Sequence, residues 1–332
     1  APPPAQPSPA HPLQPPAPDA LTEAEGGRVG AFLDAAGARG LETWIQIQAA
    51  IPPCHRVQFG GPAPGDECLM PNGQPFAARV DKNASLAAPD LRAYVRAFTA
   101  DLCRAYPQAG GFKFDWPEYP AYHFDALFFD FNPHAARFAA PLGLDFEALR
   151  RGMQELIDAI ASGRIRETRI DASSLQVFRE SLCAAFPVAG DLLAFRAAIV
   201  EDYTAFLREA VDEVSGGTKK LFLQCFPPPL NIATGFDLSR AGAQADKVGV
   251  KLYTMHWPMI EADMLAALTD RAGLAPQAVV RALSRILALA PDTARTPEDI
   301  RYPEPNEPHP CASADLSAKM RAARAELPAG TG

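Results

Sequence analysis

Four short segments of this sequence alternate between apolar and polar side chains, and this alternation restricts the fold more than any other feature. The segments are WIQIQ at 44–48, GFKFD at 111–115, LFLQCF at 221–226 and VGVKLYTM at 248–255. Side chains on a β-strand point to opposite faces with a period of two residues. Each segment therefore predicts a strand with one apolar face and one polar face.

The polar faces favour a barrel over an open sheet. They carry these side chains: Gln46, Gln48, Lys113, Asp115, Gln224, Lys251 and Tyr253. Unpaired charge is costly in a protein core, so this side is expected to meet water, a partner or a substrate. Helical segments separate the strands, which indicates βαβ units and a parallel sheet. A sheet covered on both faces would have continuous apolar strands, so one shared polar side favours the lumen of a barrel.

Amphipathic patterns predict the helices that separate the strands, over 22–37, 89–106, 146–160, 192–216, 276–289 and 315–326. Residues 1–19 are rich in proline, which predicts a tail or linker ahead of a barrel domain over 20–332. Residues 52–88 contain Pro, Gly and Asn and show no periodic pattern of apolar residues, which predicts a long loop. A loop of this length is usually functional, so it is predicted to lie over the functional site.

Composition argues against several classes of function. A net charge of -8 without a Lys/Arg run predicts no nucleic-acid partner. No apolar run reaches the roughly 18 residues of a membrane span, so a soluble protein is expected. The six cysteines lack zinc or redox spacing and favour free thiols, which slightly favours the cytoplasm over secretion. No Gly-x-Gly-x-x-Gly follows a strand, and no cofactor or metal is predicted.

Carboxylates and aromatic side chains crowd together just past the second predicted strand. Pro117 ends this strand, and the residues around it are Asp115, Trp116, Glu118, Tyr119, Tyr122 and His123. Carboxylates beside aromatic rings are what a carbohydrate site requires. The alternative for the same residues is a structural ion pair between Lys113 and Asp115, with the aromatic rings packed under a loop.

Three segments resemble the glycoside-hydrolase-like TIM barrels of bacteria: 111–135 (GFKFDWPEYPAYHFDALFFDFNPHA), 221–229 (LFLQCFPPP) and 246–260 (DKVGVKLYTMHWPMI). The resemblance extends over roughly residues 20–325. It implies a (β/α)8 TIM-type barrel that acts on a carbohydrate, with about four strand–helix units visible in this chain. The four strands would be about the third to the sixth, and the first two and last two would be missing.

Glycoside hydrolysis uses two carboxyl groups, one as acid and one as nucleophile or base. Asp115 is expected to stay ionised beside Lys113 and so to suit the nucleophile or base role. Glu118, beside aromatic side chains, is predicted to hold a proton and to act as the acid. Two further carboxylates are candidates in reserve: Asp130 and Glu261.

The other candidate site residues would bind the sugar. Rings predicted to stack on sugar faces are Trp116, Tyr119, Tyr122 and Trp257, and side chains predicted to bond hydroxyl groups are Gln46, Gln48, Gln224 and His256. For each of these amides and for the histidine, a purely structural role in the lumen is an equal alternative.

Two other functions remain open. Lys251, pointing into a lumen beside Tyr253, also fits a Schiff-base lyase or aldolase, because burial makes a lysine amine more nucleophilic. A non-catalytic carbohydrate-binding barrel would keep the stacking residues without the carboxylate pair. No G-x-S-x-G pattern supports a serine hydrolase.

Overall fold

A computed structural model describes residues 20–50, 65–76, 83–165, 172–289, 295–307, 309 and 311–332. The predicted tail over 1–19 and much of the predicted loop over 52–88 lie outside the described residues.

The four predicted strands form one parallel sheet. They are β1 (Trp44–Gln48), β2 (Gly111–Asp115), β3 (Lys220–Cys225) and β4 (Lys247–Val250), and they lie in the order β1-β2-β3-β4. All three pairings are parallel, and helices connect the successive strands. This confirms the predicted α/β class with a parallel sheet. β4 is shorter than predicted, because the chain turns into a helix at His256.

The helices, numbered α1 to α10 in chain order, are Ala20–Glu25, Gly27–Gly37, Pro89–Ala105, Phe146–Ala161, Leu175–Ala185, Pro187–Ser215, Leu230–Thr234, His256–Asp270, Pro276–Ile286 and Ser313–Glu326. Five of the six predicted helices are confirmed to within about five residues at their ends, whereas the helix predicted over 22–37 is divided at Gly26 into α1 and α2. Proline occupies the first turn of α3, α6 and α9, where its missing N–H would have no partner in the helix. No single described helix has the length and apolar character of a bilayer crossing. α5 and α6 meet these two criteria only when they are taken together, and the pair is bent by 117°.

The apolar face of the sheet packs against helices. Phe112 and Phe114 of β2 are fully buried, and they share one core with Phe195 and Tyr203 of α6. Burying one such ring contributes about 1.5–3 kcal/mol. α6 in turn packs on α3, so these helices lie on one side of the sheet.

The opposite face carries the predicted polar residues. Parallel partners share a face, and the register gives two rows: Gln46, Lys113, Phe222 and Lys247, followed by Gln48, Asp115, Gln224 and Gly249. The predicted alternation is therefore confirmed, with Phe222 as an apolar member of the polar face. Gln46 and Gln48 are exposed, so this face is open at β1.

Two glycines allow aromatic rings to lie flat on this polar face. A Cβ atom at Gly111 would lie 2.6 Å from the Trp44 ring, and one at Gly249 would lie 2.7 Å from the Phe222 ring. The Trp44 and Phe222 rings meet edge to face with centroids 5.4 Å apart. Aromatic rings thus cover the start of the polar face, and its hydrogen-bonding groups are concentrated toward the C-terminal ends of the strands.

Candidate functional site

An ion pair between Asp115 and Lys251 occupies the C-terminal end of the sheet. Asp115 is the last residue of β2, Lys251 follows β4, and Lys251 Nζ lies 2.9 Å from Asp115 Oδ1. Gln46 of β1 donates a hydrogen bond from Nε2 to Asp115 Oδ2 at 3.3 Å. Asp115 retains 7% exposure, whereas the side chain of Lys251 is fully enclosed. Residues from three strand segments therefore converge on one carboxylate.

Lys113 does not supply the cation predicted for Asp115. Lys113 and Asp115 are two residues apart on one face of β2, so their Cα atoms are separated by about 6.6 Å along the strand. The Lys113 Nζ atom lies 5.1 Å from the centroid of the Phe222 ring. Lys251 takes the role assigned to Lys113, because it reaches Asp115 from beyond the end of β4.

Glu118 is enclosed behind this ion pair. Its Oε1 accepts a hydrogen bond from the backbone N–H of Phe226 at 2.5 Å and lies 4.0 Å from Lys251 Nζ. Its Oε2 contacts Thr234 Oγ1 at 2.5 Å. Burial raises the pKa of Glu118 from 4.5 to about 7, although Lys251 and the two hydrogen bonds oppose the rise. Glu118 is thus a carboxyl group that holds a proton near neutral pH.

The surroundings of Thr234 fit the protonated form of Glu118. Thr234 Oγ1 lies 3.0 Å from the carbonyl oxygen of Asn231, which can only accept a hydrogen bond. A hydroxyl group has one proton, so when Thr234 donates to Asn231 the contact with Glu118 Oε2 requires the proton of a neutral carboxyl group. When Glu118 ionises, Thr234 must give up Asn231 in order to donate to it.

Burial disfavours the charge of Lys251, whereas the neighbouring aromatic rings and carboxyl groups favour it. Its Nζ atom is 5.1 Å from the centroid of the Trp116 ring and 4.8 Å from that of Phe226. Burial lowers the pKa of Lys251, and the nearby carboxyl groups of Glu118 and Asp115 oppose this. The amine can therefore act as the cation that fixes Asp115 or, once neutral, as a nucleophile.

Trp116 changes the course of the chain at the end of β2. Its φ angle of 59° lies in the left-handed region, which is uncommon for residues other than glycine. Such backbone outliers occur where the surrounding structure fixes them, and they are concentrated at functional sites. Here the turn places the half-buried Trp116 ring beside Lys251 and 5.5 Å from the centroid of the Tyr122 ring.

A network of rings and polar atoms continues from Tyr122. The ring of His256 lies between those of Tyr122 and Tyr253, at centroid distances of 4.9 and 4.8 Å. Tyr122 Oη is 3.2 Å from His256 Nδ1, and Gln224 Nε2 donates to Tyr253 Oη at 3.3 Å. Burial and the nearby Lys251 lower the pKa of His256. Tyr122 is 2% exposed and Tyr253 is 46% exposed, so Tyr253 is the ring of this network that faces outward.

Three of the four predicted stacking rings are closed to a sugar: that of Tyr122, which is 2% exposed, and those of Tyr119 and Trp257. Tyr119 is fully buried, donates from Oη to Asp130 at 3.2 Å, and has the Arg196 guanidinium 4.9 Å from its ring centroid. Trp257 is 2% exposed, and Lys319 Nζ lies 4.4 Å from its ring centroid. Neither ring is available to a sugar, because Tyr119 follows the turn at Trp116 and Trp257 lies in the first turn of α8.

The two reserve carboxylates are also structural in their contacts. Asp130 is fully buried, accepts the backbone N–H of Asn132 at 2.9 Å, and has a pKa that burial raises. Glu261 accepts two hydrogen bonds from Arg295, at 2.6 and 2.8 Å. Their hydrogen-bond partners keep both carboxylates away from the Asp115–Lys251 pair.

Sequence reasoning missed the groups that hold Glu118. The N–H of Phe226 and the hydroxyl group of Thr234 are separated from it by more than a hundred residues, and no sequence spacing connects them. It also missed Arg196, which donates to the Leu127 carbonyl at 2.7 Å and whose pKa burial lowers to about 10. In the part of the chain that the structure describes, no group of His, Cys, Asp and Glu side chains is arranged to hold a metal ion.

No protein-family model and no curated protein matches this chain. Among solved structures, the β-galactosidase from the psychrophilic Marinomonas ef1 is similar, with a TM-score of 0.42 and 13% sequence identity. The match covers 74% of this chain and 39% of that chain. A similarity at this level assigns no function.

Proposed function

We propose that the C-terminal end of the polar face is a carbohydrate site at which Asp115 takes part in glycoside hydrolysis. The observation that carries the proposal is the position of the Asp115 carboxylate, held by Gln46 on one oxygen and by Lys251 on the other at the margin of an open face. A carboxylate oriented in this way can attack an anomeric carbon or deprotonate a water molecule.

The side chains around Asp115 suit a sugar. The amides of Gln46 and Gln48 are exposed and offer both donors and acceptors to hydroxyl groups. The half-buried ring of Trp116 and the 46% exposed ring of Tyr253 offer apolar faces. Polar groups and aromatic faces together match the two kinds of surface that a pyranose presents.

Glu118 is the second carboxyl group of the proposed pair. Asp115 Oδ1 and Glu118 Oε1 lie 2.9 and 4.0 Å from the same Lys251 nitrogen, which limits their separation to about 6.9 Å. This limit, which applies to one oxygen of each group, allows the separation of about 5–5.5 Å found in retaining glycosidases. A pKa of about 7 suits an acid, but both Glu118 oxygens are bonded and enclosed, so Glu118 is the weaker assignment of the two.

We also propose that the four strands belong to a TIM-type (β/α)8 barrel whose lumen is the polar face. Two observations support this: the strands share one polar face, and Gly332 hydrogen-bonds to Asp246 and Val248 along β4. A crystal structure in which a layer of helices covers the polar face would contradict the barrel.

Schiff-base chemistry at Lys251 is the second candidate, and the enclosed amine with its lowered pKa favours it. Borohydride reduction in the presence of aldehydes and keto acids is expected to add mass to the peptide containing Lys251. Without an adduct on that peptide across the panel, Lys251 is the cation of the ion pair alone.

The test of the main proposal is a panel of aryl glycosides and oligosaccharides, scored separately for binding and for release of reducing sugar. Turnover of one of them by the wild type, lost in Asp115→Asn with binding retained, is the expected result. Binding without turnover would identify a carbohydrate-binding protein instead. If no compound in the panel is bound or hydrolysed, the proposal is overturned.

A further inference from the structure

An apolar space, partly open to solvent, lies between the helices, away from the polar face of the sheet. It has a volume of about 250 Å³ and is lined by α4, α5, α6, α8 and α9, by the short helix Asp125–Phe128 and by α7. Met153 of α4 and Met264 of α8 both line it. Protein interiors are packed as densely as organic crystals, so an apolar space of this volume is a binding site more readily than a packing defect.

α5 is a wall of the cavity whose own side chains are incompletely buried. It has no fully buried residue, although it presents Leu175, Phe178, Leu182 and Phe186, at or next to its ends and along one side, to the cavity. Large apolar side chains usually become buried in a folded domain. These four are only partly buried because the space beside them is unfilled by the described residues.

Arg179 contributes to the wall of the cavity, but the lining is almost entirely apolar, so its guanidinium group lies at the edge of the space rather than inside it. It is the only charged residue among the described residues that line the cavity, and it is half-buried. The hydrogen bonds and ion pairs within the described part of the chain include none from Arg179. A guanidinium group in this position offers paired donors to a carboxylate.

We propose that this cavity binds a medium-chain carboxylate, with the alkyl chain among the helices and the carboxylate on Arg179. An engineered apolar cavity of about 150 Å³ accepts benzene, with six carbons, so a cavity of about 250 Å³ accommodates roughly ten. Decanoate is therefore the probe of matching length and charge. This site is independent of the proposed carbohydrate site.

Titration calorimetry with decanoate and with decanol tests the proposal. We expect saturable binding of decanoate by the wild type, weakened at least tenfold by Arg179→Gln, with binding of decanol changed less than twofold. Ala185→Phe, which places a ring in the cavity, is expected to weaken both ligands at least tenfold. Its matched control is Ala184→Phe on the exposed side of α5, which is expected to bind as the wild type does.

A measurement on the unaltered chain guards against a variant that does not fold. With ¹³C-methyl methionine, decanoate is expected to shift the resonances of Met153 and Met264 and to leave that of Met320, exposed on α10, unchanged. The absence of saturable binding would overturn the proposal. Binding that leaves Met153 and Met264 unshifted would do the same, as would equal affinity in Ala185→Phe and the wild type.

Discussion

The carboxyl group of Glu118 should make the stability of this protein fall as pH rises toward neutrality. Its pKa in the folded state is about 7, against an ordinary value of 4.5. The folded state therefore binds the proton more tightly than the unfolded state does. The resulting stabilisation is fully present below about pH 4.5 and is lost as pH rises through about 7.

Replacing Glu118 with Gln should remove this dependence while keeping the local structure. The difference between 4.5 and about 7 corresponds to about 3 kcal/mol in the free energy of unfolding. The glutamine amide can donate to Thr234 Oγ1, which then donates to Asn231, and its carbonyl can accept the N–H of Phe226. We expect Glu118→Gln to match the wild type at pH 5 and to exceed its stability by up to about 3 kcal/mol at pH 8.5.

Urea unfolding at pH 5, 6, 7, 8 and 8.5, followed by both fluorescence and circular dichroism, measures this difference. Titrating groups remote from position 118 affect both proteins alike, so the difference between the two curves reports Glu118 together with Lys251, whose pKa the Glu118 carboxyl group raises. The matched control is Glu155→Gln, the same substitution at an exposed position of α4. A difference between Glu118→Gln and the wild type that stays constant from pH 5 to 8.5 would refute the reasoning.

Two further substitutions, each with a comparison variant, test buried contacts by urea unfolding. Arg295→Met leaves Glu261, which is 1% exposed, without its two hydrogen bonds, and is expected to cost about 3–5 kcal/mol at pH 7. Arg96→Met, at an exposed ion pair, should cost under about 1 kcal/mol, and equal losses would contradict this expectation. Gly249→Ala, with a Cβ atom 2.7 Å from the Phe222 ring, should cost about 1–3 kcal/mol. In a Phe222→Ala background that loss should largely disappear, and an undiminished loss would exclude the contact as its cause.

The sequence predicted the sheet because its strands follow one simple rule. A period of two assigns Ile45 and Phe112 to one face and Gln46 and Asp115 to the other, and hydrogen bonding between parallel strands then aligns these faces. The proximity of Asp115 and Lys251 follows from the same rule, because both lie on the polar side near the C-terminal ends of their strands.

Beyond Asp115 the same rule no longer applies. The left-handed turn at Trp116 ends the alternation, so the directions of Glu118 and Tyr119 depend on contacts made later in the chain. Trp257, whose ring is predicted to stack on a sugar, lies in α8, where a helical period directs it inward. Such directions are set by tertiary contacts that no local pattern contains.

The kinetics of Asp115→Ala on an aryl glycoside that the wild type hydrolyses, with and without azide, test the role of Asp115 most directly. Removing a nucleophile or base should lower kcat about a hundredfold or more. Azide, a small anion that fits the vacated space, should restore turnover and yield a glycosyl azide. Asp34→Ala, at an exposed position on α2, is the control and should keep wild-type kinetics. Asp115→Ala with a kcat within twofold of the wild type would contradict the proposed role of this carboxylate.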